Sequence, residues 1–510
     1  MPTAVGSPPL EEMDGALLAS PTLSYDGRAV TATAPEADVD MYYSTDNFTT
    51  SSYYDGPIPV TDLGIVKVIA EKTFRADSEP AEYTIEYLYN GDTLKMAREG
   101  LMAEAIKWCS ADSIEKMTVI GPINSTEFET IRTLNKLKFL NLAGVTNESL
   151  DIPDNAFANS SIVSFVAPAK VGSVGSAIFS GCQQLAAVNW DTEKALPSDA
   201  LANINNPNLL LYLKEGTTDA PAGINNVIVG GKAEKITLVD ATGNNNFYCP
   251  VAFTTDTITY TRNFQQKTEV GVSRGWETIV LPFNVQSIKH EDGRTLVPFR
   301  NYYSGNSSKP FWLYTLEQNN ISSASQIEAN VPYLICMPND DAYGDDYILA
   351  GNVTFSAVDK TNKITIGVSK PVEKSQYDIT FVPTYQSVPA SADVFALNVD
   401  KEYKGYPTGS LFVSNNREVR PFEAYSVHPS AAEKVSASRV MTVASLIGGG
   451  EDTTGIIDVM LKKNDGANGN AVVRVYSLSG ALVKQGKAED VTHGLPKGIY
   501  IANGKKFVVR

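Results

Sequence analysis

Histidine is scarce in this chain of 510 residues: His290, His428 and His493 are the only three, and they stand far apart. None shares a spacing with a second ligand or a nucleophile, which removes most zinc hydrolases and Ser-His-Asp enzymes from consideration. Cysteine is as sparse, with Cys109, Cys182, Cys249 and Cys336 each alone and no CxxC pair. A chain long enough to bury several cores needs no disulfide staples, so these read as isolated thiols in apolar surroundings. Positive charge is in deficit: 42 basic residues against 58 acidic give a net charge of −16, with no basic patch to draw in nucleic acid. No long apolar run occurs, so no membrane-spanning helix is expected. Residues 1–20 have neither the basic start nor the apolar stretch of a signal peptide, so the chain is either cytoplasmic or begins after a cleaved signal. The nucleotide and metalloprotease patterns GxGxxG, GxxxxGK[ST] and HExxH are missing.

What is present is patterned for strands. Length allows three or four domains, and 43% apolar against 20% charged residues is the balance of a globular chain. Residues 1–20 read as a flexible leader. Over 21–90, Val66, Val68 and Ala70 alternate with Ile65, Lys67 and Ile69, a second two-residue period runs through 81–87, and Gly56-Pro57 supplies a turn. That pattern predicts a small β-sandwich. Leu94, Ala97, Leu101, Ala105 and Trp108 then fall on one helical face, predicting a helix over 92–108 with Asp92 as its N-cap.

Repeats follow. Lys138-Phe139-Leu140-Asn141-Leu142, Ile162-Val163-Ser164-Phe165-Val166, Leu185-Ala186-Ala187-Val188-Asn189 and Leu209-Leu210-Leu211-Tyr212-Leu213 recur every 23 or 24 residues, with Phe157, Phe179 and Leu201 spaced by 22 between them. One strand and one apolar anchor per period predict a leucine-rich-repeat solenoid over 91–240, capped by the 92–108 helix at one end and by 226–240 at the other. Residues 245–446 carry short alternating strands between Asn, Gly, Pro and Asp turns, suiting one large β-sandwich or two small ones. Three glycines at 448–450 read as a hinge before a terminal module, 456–510, of two hairpins, the second turning at Asn503-Gly504. The expected class is mainly β and multi-domain.

Four of these segments carry resemblances. Tyr43-Ser44-Thr45-Asp46, Tyr54-Asp55-Gly56-Pro57-Ile58 and Ser78-Glu79-Pro80 resemble the immunoglobulin-like modules related to the C-terminal domain of chitobiase, which serve as accessories. Asp154-Asn155-Ala156-Phe157 and Ala177-Ile178-Phe179-Ser180-Gly181-Cys182 resemble BspA-type leucine-rich repeats, and Met117-Thr118-Val119-Ile120-Gly121-Pro122-Ile123 looks like the opening of such arrays in Bacteroidetes surface proteins. Trp276-Glu277-Thr278-Ile279, Ala329-Asn330-Val331-Pro332-Tyr333 and Arg420-Pro421-Phe422-Glu423-Ala424-Tyr425 resemble a recurrent β domain of Bacteroidetes secreted proteins. Val475-Tyr476-Ser477-Leu478-Ser479-Gly480 with Gly498-Ile499-Tyr500 looks like the sorting modules of the type IX export route, which implies delivery to the outer surface or medium.

The expected function is therefore non-enzymatic: adhesion or protein recognition at the cell surface, by a monomer, with a host or bacterial surface protein as partner. Solenoid strands align their outward residues into one extended face. The residues expected on it are Lys138, Asn141, Ser164, Asn189 and Tyr212. An alternative is carbohydrate binding, with the aromatics Tyr302 and Tyr303 stacking on sugar rings beside Phe311, Trp312 and Tyr314. A cryptic hydrolase is the third reading, without a motif behind it. No cofactor is expected except calcium, for which Asp340, Asp341, Asp345 and Asp346, with Asn339 and a bend at Gly344, offer hard oxygens without EF-hand spacing.

Overall fold

A computed structural model describes residues 14–428 apart from 74, 241–242, 271, 304, 306, 317–320, 371 and 376–378, then 441–443, Leu495 and four strands within 472–509. Most of the leader, the glycines at 448–450 and the turn at Asn503-Gly504 lie outside the described residues. The fold is mainly β, and the chain divides into two compact units, 1–206 with 211–224, and 207–210 with 225–510.

The first unit opens with two antiparallel sheets. One orders Thr22–Tyr25, Ala29–Thr33 and Ile58–Pro59; the other orders Ser52–Tyr53, Asp40–Ser44, Gly64–Glu71 and Ala81–Ile85. The alternation of the longest strand explains the packing: Val66, Val68 and Ala70 are buried, while Lys67 turns out to meet Glu82. Val30, Ala32, Ile58 and Ile85 complete one shared core.

A solenoid-like ladder follows in the same unit. Thr93–Met96, Lys116–Gly121, Phe139–Val145, Ser164–Val166 and Ala187–Trp190 pair in parallel, each with the next. Their inward column, Met117, Leu140, Phe165 and Val188, is fully buried. On the return side of each turn Phe157 stacks on Phe179 at 5.3 Å and touches Phe165 at 4.7 Å and Phe128 at 5.7 Å. Successive turns superpose at a spacing of 22 residues there, where the hydroxyl of Ser173 donates to Asp151 and that of Ser176 to Asp154. The regular spacing of Phe157 and Phe179 in the sequence is thus the structural repeat itself.

The predicted helix over 92–108 is not formed. Asp92 precedes the strand Thr93–Met96, Gly100 turns at φ +81, and only Met102–Ala105 is helical. Leu94 and Met96 are buried with strand alternation, and the pairing of Thr93, Leu94 and Lys95 with 118–120 makes this the first rung. A capped helix does occur one turn later: Ser125–Arg132 begins on Asn124, whose side chain accepts from the backbone of Thr126 while Glu127 reaches back to the Asn124 N–H. Residues 226–240, expected as the second cap, form the hairpin Asn226–Val229 and Lys232–Val239 and belong to the second unit.

Sandwich and ladder are joined by specific contacts. The Arg28 guanidinium lies 3.5 Å from the Trp108 ring centroid, Lys95 pairs with Asp62 at 2.8 Å, and Arg98 with Glu86 at 2.9 Å. Gly27, at φ +96, leaves room for this; a Cβ there would sit 2.7 Å from the indole.

In the second unit Lys232–Val239 runs parallel to the long strand Phe253–Phe264, which pairs on its other side with Gly351–Val358, itself flanked by Ser287–His290. A second sheet orders Glu277–Ile279, Tyr333–Cys336, Lys309–Thr315 and Leu296–Pro298. The third is built on Thr380–Thr384, Glu423–Val427, Phe395–Leu397 and Leu411–Ser414. These last two sheets share one core, in which Trp276, Trp312 and Leu334 meet Phe381, Leu397 and Phe412. Near the C-terminus, Val472–Ser477, Leu482–Lys487, Gly498–Ala502 and Lys505–Val509 form an antiparallel sheet of their own.

The stacked phenylalanines set the stability of the ladder. Phe157→Ala is expected to cost about 3–5 kcal/mol, because the cavity opens among three other rings, whereas Phe139→Ala on the outer side costs about 1 kcal/mol or less. Chemical denaturation of the two variants checks the difference.

Candidate functional site

The outer side of the ladder is the most regular surface in the described residues. Parallel pairing places Thr93, Thr118, Asn141, Val166 and Asn189 directly beside one another in a single column, and all five are half-buried. At a strand spacing of ~4.8 Å this column is about 19 Å long. Ion pairs border it, Lys116 with Asp92 at 3.0 Å and Lys138 with Glu115 at 3.1 Å, each bridging adjacent rungs.

Asn141 and Asn189 stand on this face, and Lys138 flanks it. Two expected positions do not. Ser164 shares a column with Lys116, Phe139 and Ala187 but is only 5% exposed, since a short side chain in mid-sheet is covered by larger neighbours such as Phe139. Tyr212 is equally buried, in a strand, Leu210–Leu213, whose four residues are all buried. Thr93 and Thr118 were missed because their strands lie upstream of the recognised repeats; the pairing interval of 25 residues from Thr93 to Thr118 is the signal that could have found them.

The other sequence candidates are scattered. Tyr303 is 67% exposed, while Tyr302 is half-buried and hydrogen-bonded to Tyr347. Phe311, Trp312 and Tyr314 belong to the core and are not free to stack on a sugar. The four aspartates do not converge: Asp340 accepts from the backbone of Val270 and Ala342, and Asp346 pairs with Lys309 at 3.3 Å. Among the described residues no group of three His, Cys, Asp or Glu side chains is placed to hold a metal ion. Gly271-Val272-Ser273-Arg274-Gly275 fits the GxSxG spacing of serine hydrolases. Among the described residues the Ser273 hydroxyl is buried with no hydrogen-bond partner, hence no base beside it, and the strand Glu277–Ile279 follows rather than a helix.

The second unit holds a different kind of centre. Arg262, 2% exposed, donates from Nη1 to the Thr278 carbonyl at 2.8 Å, from Nη2 to the Phe422 carbonyl at 3.1 Å, and from Nε to the Tyr260 hydroxyl at 2.9 Å. Asp240 lies 3.1 Å from it and Glu277 3.8 Å. Burial opposes the guanidinium's charge, but Tyr260, Asp240 and Glu277 together hold it protonated. Phe422 joins the same point: its φ is +64, rare for a bulky residue, its carbonyl also accepts from Val280, and its ring packs 4.7 Å from Tyr260. The phrases around Trp276, Ala329 and Arg420 therefore meet here, since Glu277 also pairs in register with Ile335 and Asn330 donates to the Leu281 carbonyl. Burial pushes the Cys182 and Cys336 thiols up, the latter further under the influence of Glu277, which leaves both poor nucleophiles.

Arg262→Met strips two carbonyls and two carboxylates of their cation and is expected to destabilise the protein by about 3–5 kcal/mol. Arg262→Lys keeps the charge but not the fork, and falls between. Denaturant midpoints at constant pH rank the three proteins.

Comparison of the chain with known protein families, with curated proteins and with solved structures finds no match.

Proposed function

We propose that this is a non-enzymatic surface or secreted protein that recognises a protein partner through the outer column of its ladder. The observation that carries the reading is the alignment of Thr93, Thr118, Asn141, Val166 and Asn189 on consecutive parallel strands. Four short polar side chains and one valine on a rigid sheet offer donors, acceptors and an apolar contact at fixed spacing with little entropy to lose on binding, which suits reversible recognition by shape. The likeness of 154–157 and 177–182 to BspA-type leucine-rich repeats supports the same reading, and the two-sheet module over 21–90 then serves as a chitobiase-like, immunoglobulin-like accessory. Export to the outer surface of a Bacteroidetes-like bacterium follows from the resemblance of 475–500 to type IX sorting modules. Thiols of which three are buried and the fourth, Cys109, half-buried suit such a compartment. The alternative of glycan binding retains one exposed ring, Tyr303.

The test is retention of the full chain on immobilised host-matrix and bacterial surface proteins, beside polysaccharides. The double variant Asn141→Arg, Asn189→Arg is expected to lose at least about tenfold in affinity for the retained protein at an unchanged Tm, as two bulky cations break the complementarity. Retention on polysaccharide alone, abolished by Tyr303→Ala, transfers the function to the glycan reading, and turnover of chromogenic substrates overturns both.

A further inference from the structure

We propose that the charge cluster around Glu277 is a proton-operated latch, which holds the sheets of the second unit together firmly in mildly acidic surroundings and loosens them as the surroundings turn alkaline. The argument begins with a count of charges. Four carboxylates, Asp240, Glu277, Asp400 and Glu423, are served by three guanidiniums, Arg262, Arg417 and Arg420. Three of the carboxylates have a close cation: Asp240 with Arg262 at 3.1 Å, Glu423 with Arg417 at 2.7 Å and Asp400 with Arg420 at 2.6 Å. Glu277 is left with the longest contact, 3.8 Å, to a guanidinium that already serves Asp240. Glu277 is half-buried, its side chain 16% exposed, and a partly desolvated carboxylate that shares its cation with a closer rival is stabilised by a proton.

The elements packed against Glu277 bring charged and titratable groups of both signs to it. Asp240 follows Lys232–Val239, Tyr260 and Arg262 lie on Phe253–Phe264, Cys336 ends Tyr333–Cys336, and Glu423 opens Glu423–Val427 with Arg417 and Arg420 just before it. Desolvation, the largest influence, raises the Glu277 carboxyl; Arg262 lowers it, Glu423 and Asp240 raise it again and Arg420 lowers it, for a net rise to about 7 from an ordinary 4.5. The native state therefore keeps a proton that the unfolded chain releases near pH 4.5. The contribution of Glu277 to stability is greatest below that pH, falls as pH rises towards 7, and levels off above it. What ionisation strains is a junction with little slack. Glu277 adjoins Thr278, whose hydroxyl exchanges two hydrogen bonds with the Ala424 backbone, next to the positive-φ residue Phe422.

Thermal unfolding of the full chain between pH 5 and pH 8.5, alone and as the Glu277→Gln variant, tests the latch. The wild-type Tm of the second unit is expected to fall by roughly 5–10 °C between pH 5 and pH 8. Glu277→Gln, which carries the neutral form permanently, is expected to show little of that fall and to unfold above the wild type at pH 8. A wild-type Tm that is flat or rising over this range overturns the proposal, as does a variant that falls in parallel with the wild type. Should the variant not fold, infrared spectra of the wild type decide instead. The carbonyl band of a protonated carboxyl is expected at pH 6, where ordinary carboxyls are ionised, and gone at pH 8.5; its absence at pH 6 overturns the latch.

Discussion

A strand of three to seven residues with an apolar column on one side cannot bury that column alone, and the first unit is built around this constraint. Each rung from Thr93–Met96 to Ala187–Trp190 gains backbone partners and a covered inner face only from its neighbours. The requirement explains why Phe157 and Phe179 stack, why Asp and Ser side chains bond from one turn to the next, and why the sandwich packs on the first rungs through Arg28 and Trp108. It also produces the proposed recognition surface without further design. Once the inner residues are in register, so are the outer ones, and a mostly polar column becomes a rigid row.

The second unit meets the problem of joining sheets differently. Its second and third sheets share an apolar core of the ordinary kind, but the first is tied to both by a guanidinium that donates to carbonyls on each. Arg262 is suited to the task because its donors form a planar fork and its charge survives burial. The cost is a cluster in which charges must balance, and where they do not, a proton completes the account. The unit's cohesion thereby becomes tied to pH, a property the apolar core alone would not confer.

How much of this could be read in the sequence depends on the range of the interaction. The strands at 139–142, 164–166 and 187–189, and the anchors Phe157 and Phe179, were legible because each repeat imposes the same demands on the same positions. The helix expected over 92–108 failed because Leu94, Ala97, Leu101, Ala105 and Trp108 fit helical spacing by coincidence: Leu94 and Met96 alternate as a strand, and Gly100 stops any helix from running through. Ser164 was misplaced because alternation gives the side a residue faces but not what covers it. The Arg262 cluster was invisible for a simpler reason. Its members are spread over the chain, Arg262 and Phe422 alone being 160 residues apart, and a charged residue on a strand reads as exposed unless its partners are already known. Only the three conspicuous phrases around Trp276, Ala329 and Arg420 marked its location, without revealing that they meet.

The central claim is that one continuous ladder, beginning at Thr93, holds the recognition column rigid. Hydrogen exchange of the full native chain, resolved to peptides, tests it most directly. Amides of 94–96, 117–120, 140–142 and 164–166 are expected to exchange slowly and together, as one cooperative block. Rapid exchange over 93–96, at the rate of the loop that follows and independent of the later rungs, would contradict it.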